Sequence, residues 1–302
     1  MRISALLMPL FFVACSNNSP APGPQDLSAP PADLTYVPSA LITARPYQSH
    51  VPTNYDATKP TPLVVLLHGY GFNGAAQNAY FGMTPVSDSA GFLYAYPDGT
   101  VDSSGKGFWN ATDSCCNFGK VAVDDVAYLN AVIDDMSAQY NVDPKRIYFM
   151  GHSNGGFMTY RMACESGSRI AGVVVLAGAM WLDTTKCPGK DKVPVLHVHG
   201  DSDMTIYYGG SATAAGALAP YPGAKVSLAD WATIDGCGPL ATTTETKDLV
   251  TGPPNETAVS RHSCPTGLAA ELWTIQGSDH VPAFATPTWP EAITAWLFQF
   301  HK

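Results

Sequence analysis

The apolar residues of this chain gather into short continuous runs separated by turn signals. Leu63 to Leu67, Phe92 to Tyr96, Ile147 to Met150, Ala171 to Gly178, Val193 to Gly200 and Glu271 to Ile275 are each the length of one strand. Runs without alternation fit strands buried on both faces. Ala40 to Pro52 predicts a further strand at the sheet edge. Between these runs the period changes to a helical one. From Val121 to Tyr140, the residues Val126, Leu129, Ile133, Met136 and Tyr140 fall on one face. Phe157 to Ala163, Lys225 to Ile234 and Trp289 to Phe300 read as helices too, the last covering the sheet. Strands alternating with helices predict an α/β domain: a mostly parallel central sheet, right-handed crossovers and helices on both faces. A chain of 302 residues has room for one such domain with a large core.

Composition narrows the setting. The net charge is −9 with no basic stripe, so nucleic acid is not an expected partner. No internal apolar run has the length of a bilayer span. At the N-terminus, Arg2 precedes an apolar stretch from Ile3 to Ala14 and then Cys15-Ser16. This resembles a bacterial lipoprotein signal over 1–14, with Cys15 acylated; an ordinary secretory signal cut nearby is the alternative, and both imply export. Residues 15–35 read as the acylated Cys15 followed by a Pro-rich linker, a tether that cannot build a core. The catalytic domain is then 36–302, held at the outer membrane or cell surface through the lipid alone, or secreted, and monomeric. Of seven cysteines, Cys115, Cys116, Cys164, Cys187, Cys237 and Cys264 remain after Cys15. An even number in an exported chain argues for disulfides, whose connectivity the sequence leaves open. No Cys or His spacing suits zinc, so no metal is expected.

The chemistry centres on Gly151-His152-Ser153-Asn154-Gly155-Gly156. Gly-x-Ser-x-Gly between a predicted strand and helix is the context of a nucleophile elbow: a strained turn that lifts the serine hydroxyl above the sheet. Small residues must surround such a turn. Ser153 is the candidate nucleophile, and the Asn154 amide behind it one oxyanion donor. His68-Gly69-Tyr70-Gly71 ends the first buried strand, where this fold supplies its second oxyanion amide, assigned here to Tyr70. His68 precedes the nucleophile and is read as structural. A carboxylate just past a parallel strand's end lies where such sheets bind ligands. Asp203 is therefore the candidate acid, with Asp201 its competitor. His280 follows the last strand and completes the order Ser, acid, His. His262 is the rival base, read as preceding a strand rather than following one. Asp124 and Asp125 sit in a helix's first turn and are explained by its dipole. In the long loop 98–120, Trp109 either lines a substrate cleft or anchors the loop on the core.

These residues carry a resemblance. Leu67-His68-Gly69, Tyr96 to Gly99, Trp109-Asn110 with Cys115-Cys116, Val123 to Val126, the elbow, His199-Gly200-x-x-Asp203, Trp231 to Cys237 and Gly277-x-x-His280 resemble the secreted esterase family of feruloyl esterases, acetylxylan esterases and polyhydroxybutyrate depolymerases. The match runs from about residue 40 to the end. It implies the α/β-hydrolase fold, favours Asp203 over Asp201, and suggests a Cys237–Cys264 bridge. Cys164–Cys187 and a vicinal Cys115–Cys116 bridge are expected beside it. Where the family often has Trp-Pro-Gly after the histidine, this chain has Val281-Pro282-Ala283. A pocket-side aromatic is expected to be missing there, which leaves the substrate class open.

The expectation is a serine carboxylic ester hydrolase acting on acyl groups of plant polysaccharide or on hydroxyalkanoate polyester, without a cofactor. A serine peptidase on the same fold is the nearest alternative; such peptidases usually carry a cap or propeller that this chain has no sequence to build. A catalytically silent surface adhesin is the alternative outside enzymes, and the intact Ser, Asp and His argue against it.

Overall fold

The computed structural model describes residues 36–187, 189 and 191–302. The expected signal, acylated Cys15 and the whole of the linker lie outside them. Val37–Lys302 forms one unit.

Its frame is a nine-stranded sheet of the described residues: β1 (Gln48–His50), β2 (Thr61–Leu67), β3 (Leu93–Tyr96), β4 (Val142–His152), β5 (Gly172–Leu176), β6 (Val195–Gly200), β7 (Leu240–Lys247), β8 (Thr257–His262) and β9 (Ala270–Ile275). Across the sheet the order is β1-β3-β2-β4-β5-β6-β9-β8-β7. The six central strands from β3 to β9 are parallel; β1 and the β8–β7 pair add antiparallel edges. The helices are α1 (Ala40–Ala44), α2 (Gly74–Phe81), α3 (Met83–Ala90), α4 (Asp125–Gln139), α5 (Asn154–Ser166), α6 (Ala224–Asp235) and α7 (Thr288–Leu297).

The pleat of β2 explains its unbroken apolar run. Leu63, Val65 and Leu67 enter the core under α4, α5 and α6, while Val64 and Leu66 enter the opposite core with α3 and α7. From Leu63 to Leu67 both faces of the strand are dry, and every position there is apolar.

Two readings of the sequence need correction, and one region without a reading forms helices. Ala40 to Pro52 is not one strand. The Ser39 hydroxyl caps the Ile42 amide and starts α1, leaving only Gln48–His50 to pair with β3. The region 74–90, without an apolar rhythm, forms α2 and α3 around Gly82, whose φ of 68° lets the chain turn between them. His262 ends a strand, β8, paired antiparallel with β7; these polar, threonine-rich strands are partly solvated and lack the apolar runs of the centre. The loop 98–120 is held by a small hairpin, Thr100–Val101 with Gly107–Phe108, and by the Cys115–Cys116 bridge. The other bridges are Cys164–Cys187 and Cys237–Cys264.

Candidate active site

The turn between β4 and α5 is where the sheet meets its chemistry. Ser153 takes φ 55° and ψ −121°, a conformation rarely open to a residue with a side chain, and its amide donates to the Leu176 carbonyl at 2.8 Å. Space around it is minimal. A Cβ on Gly151 would lie 2.2 Å from the Gly155 carbonyl oxygen, and one on Gly155 2.2 Å from that of Leu67. Glycine is the residue that lets α5 start this close to β2 and β4.

Asp203 follows β6 and is buried, with both carboxylate oxygens engaged. Its Oδ1 accepts the Thr205 and Ile206 amides at 2.8 and 2.9 Å. Its Oδ2 accepts His280 Nδ1 at 2.7 Å and lies 3.2 Å from His199 Nε2. Burial works to raise its pKa; the two imidazoles and the backbone amides outweigh it and hold the carboxyl well below the usual range. Asp201 is elsewhere: exposed, its Oδ1 accepts the Gly277 amide at 2.7 Å and ties the two loops together. The structure thus brings His280 to Asp203 and not to Asp201. His262 is remote in bonding, its Nδ1 paired with the Gly238 carbonyl.

Ser153 and His280 line one cavity of about 270 Å³, with Gly69, Tyr70, Phe72, Phe118, Ile206 and Val281 among its walls. The walls are mostly apolar. The aromatic expected to be missing beside Val281 is replaced from other elements, by Phe72 and Phe118. Two backbone amides near this cavity have no acceptor among the described residues. Gly69, Gly71 and Phe72 spend theirs on Gln77 Oε1, the Gly107 carbonyl and the Gly69 carbonyl; that of Tyr70 makes no hydrogen bond among the described residues. The Asn154 amide opens α5 and has no acceptor within the helix.

His152 packs beside the pair. Its ring centroid is 4.9 Å from that of His280, and its Nε2 bonds the His280 carbonyl at 2.9 Å. Burial, reinforced by the neighbouring His280, lowers its pKa to about 3, so it stays neutral. His68 is likewise structural: its Nε2 accepts the Gly99 amide at 2.8 Å, so Nδ1 carries the proton and donates to the Gly69 carbonyl.

Trp109 corrects the expectation of a cleft-lining residue. It is wholly buried, its indole N–H donating to the His68 carbonyl at 3.0 Å and its amide to Asn154 Oδ1 at 2.7 Å. Its place is behind the elbow, where it fixes the start of α5 and the His68 loop. Among the described residues, no three His, Cys, Asp or Glu side chains are grouped to hold a metal.

Sequence reasoning missed His197, His199 and Tyr160. His199 reaches Asp203, His197 reaches His199 at 3.1 Å, and Tyr160 reaches His197 at 2.9 Å. The signal was present: two histidines two apart in an otherwise apolar strand point the same way and must be paired when buried.

This sheet, with a serine at the turn after its β4 and an aspartate–histidine pair past β6 and β9, has the α/β-hydrolase fold. A family model described as Phospholipase/Carboxylesterase matches residues 119–230. Among relatives by sequence, an esterase, NocK of Nocardia uniformis subsp. tsuyamanensis, is 27% identical over 296 residues, covering 90% of this chain and 82% of that protein. Feruloyl esterase B of Piromyces equi is 26% identical over 79% of this chain and 43% of its own length. The bifunctional acetylxylan esterase/xylanase XynS20E of Neocallimastix patriciarum is 28% identical over 53% of this chain and 22% of its own length. This chain therefore spans less than half the length of those two. Among solved structures, an acetyl xylan esterase from Aspergillus awamori aligns with a TM-score of 0.59 at 15% identity, covering 83% of this chain and 92% of that one. Esterase PE8 aligns at 0.53 and 18% identity, covering 84% and 97%. The chain is thus similar to carboxylic ester hydrolases, among them proteins named as feruloyl and acetylxylan esterases.

Proposed function

We propose that this is a serine carboxylic ester hydrolase that works through an acyl-enzyme, with Ser153, His280 and Asp203 as its triad. The observation that carries the reading is the 2.7 Å bond from His280 Nδ1 to a buried, ionised Asp203, in a cavity that His280 shares with Ser153 at its strained turn. That bond fixes the tautomer that leaves His280 Nε2 unprotonated. Ser153 Oγ attacks the ester carbonyl while His280 takes its proton. The amides of Tyr70 and Asn154 receive the oxyanion, each lowering the barrier by about 2.7–4 kcal/mol. Collapse expels the alcohol oxygen, which His280 protonates. Water then repeats the sequence, releasing the acid and restoring Ser153.

The substrate proposed is an acyl ester of a plant polysaccharide, feruloyl or acetyl. The small apolar cavity suits the acyl part. It shares Cys115 and Phe118 with a polar groove of about 910 Å³ whose lining includes Asn110, Thr112, Asp113, Asn117 and Arg161. A wide polar groove fits a hydroxyl-rich alcohol better than an aliphatic polyester chain, and two relatives are named for feruloyl and acetylxylan ester cleavage. Export, with lipid on Cys15, belongs to the same proposal and is supported by three bridges in the domain.

Ser153→Ala is expected to fold and to lose nitrophenyl-ester hydrolysis. Turnover at the wild-type rate would end the reading. On a panel of methyl ferulate, acetylated xylan and hydroxybutyrate oligomers, preference for the oligomers would overturn the polysaccharide assignment. Cys15→Ser should release the protein from membranes; a variant that stays bound with a normally cut N-terminus would reject the lipid.

A further inference from the structure

The acid of the triad is itself held by a second histidine, and the bonding behind that histidine runs in one direction. The Ile206 carbonyl can only accept, so His199 Nε2, 2.8 Å away, carries a hydrogen. The same nitrogen lies 3.2 Å from Asp203 Oδ2, so its N–H dipole acts on that oxygen beside its bond to the Ile206 carbonyl. His199 Nδ1 is then a bare acceptor, so His197 Nε2 donates to it across 3.1 Å. His197 Nδ1 is in turn an acceptor, and the Tyr160 hydroxyl donates to it at 2.9 Å. Every one of these side chains is buried, and the two rings lie nearly parallel, 11° apart. Each tautomer is thus settled by its neighbour. Tyr160, His197 and His199 make a row of neutral donors that ends on the carboxylate oxygen bonded to His280.

We infer that His199, polarised by His197 and Tyr160, is a positioning residue that sets the basicity of His280 through Asp203 Oδ2, which both imidazoles approach. The inference rests on the triad reading above. A donor on Oδ2 draws off part of the negative charge that would otherwise stabilise a protonated His280. It also fixes which lone pair faces His280. The row therefore lessens the charge that Oδ2 presents to His280, while the Thr205 and Ile206 amides hold Oδ1. Burial keeps His197 neutral, so the row supplies a dipole and not a second charge. Chained donors strengthen one another, which gives Tyr160 a reach of two residues toward the carboxylate.

Other groups face these rings and stay unchanged in the test. His152 packs on His280, and Asp279 Oδ1 accepts the His280 amide at 2.6 Å. Tyr208 meets His199 edge-on, and Asp203 also feels Tyr221. Asp230 acts on Tyr160. A merely space-filling role for His199 would move stability and leave the titration of His280 where it was.

The test uses the disulfide-intact domain with labelled histidines. His280 is titrated by NMR, which needs no turnover, and the acid limb of kcat/KM is read on a nitrophenyl ester. His199→Leu removes the donor at similar volume; it should tighten proton binding at His280 about three- to ten-fold, moving both readings up by about 0.5–1 pH unit. His199→Gln retains an N–H toward Asp203 and should restore most of the wild-type midpoint. A folded His199→Leu protein titrating like the wild type overturns the inference. If His199→Leu does not fold, Tyr160→Phe decides: a smaller upward shift supports the row, and none refutes it. A shifted NMR midpoint in a protein without ester turnover supports the row and fails the hydrolase reading, so the two are separable.

Discussion

Replacing Asp203 by Asn tests the site with the least disturbance of shape. Oδ1 of the new amide can still accept the Thr205 and Ile206 amides, so the loop after β6 should stand. Nδ2 then occupies the Oδ2 position, facing His280 Nδ1 at 2.7 Å and His199 Nε2 at 3.2 Å. Donor meets donor. His280 relieves this by moving its proton to Nε2, which leaves Nδ1 to accept from the amide. The nitrogen needed to take the Ser153 proton is then already occupied. The lost imidazolium partner and the wrong tautomer together should lower kcat about 10⁴-fold, some 5.4 kcal/mol in the barrier. Asp201→Asn is the control. Its Oδ1 accepts the Gly277 amide at 2.7 Å, and an Asn oxygen can do the same, so activity should stay within about three-fold of wild type. Both proteins are assayed on a nitrophenyl ester after circular dichroism and thermal melting show native folding. If Asp201→Asn loses more activity than Asp203→Asn, the acid has been misassigned and the tautomer argument with it.

Asp235, wholly buried at the end of α6 with only the Val193 amide on Oδ1, has its pKa pushed by burial from 3.8 to about 7. The folded state thus keeps a proton that the unfolded chain releases, so stability falls as pH rises from about 4 to 7. Asp235→Asn should remove that slope, gaining up to about 4 kcal/mol on the wild type across this window; parallel urea-unfolding curves against pH would refute it. Gly155→Ala drives a Cβ against the Leu67 carbonyl and should destabilise by roughly 1–3 kcal/mol while cutting kcat, checked by unfolding and turnover together; an unchanged midpoint contradicts the packing argument. Trp109→Phe leaves the buried His68 carbonyl short of its indole donor and should cost about 1–3 kcal/mol of stability with KM unchanged; a raised KM at full stability would return Trp109 to the cleft.

Much of this site was legible because its logic is local. The strained serine needs small neighbours two and three residues away, so Gly151, Gly155 and Gly156 announce it. The acid and base each sit at the mouth of a strand, and an apolar run followed by Gly marks that mouth. Trp109 was ambiguous for the opposite reason. An indole in a loop is equally consistent with a cleft wall and an anchor, and only the distances to His68 and Asn154 separate them. The cavity's aromatics were invisible because Phe72 and Phe118 reach Ser153 from loops distant in sequence.

By itself the sequence determined the elements whose burial is two-sided or strongly one-sided: the central parallel strands, α4, α5, α6 and α7, and the order of Ser153, Asp203 and His280. Removing a strand from water on both faces excludes polar residues and leaves an unmistakable run. Tertiary structure decided the rest. It turned 40–44 into a helix, raised α2 and α3 from a stretch with no apolar rhythm, and formed β7 and β8 from polar threonine-rich segments whose pairing depends on an edge supplied by β9. It also stacked Tyr160, His197 and His199 behind the pair of Asp203 and His280. These outcomes rest on contacts between residues far apart in the chain, and such contacts exist only once the sheet has assembled.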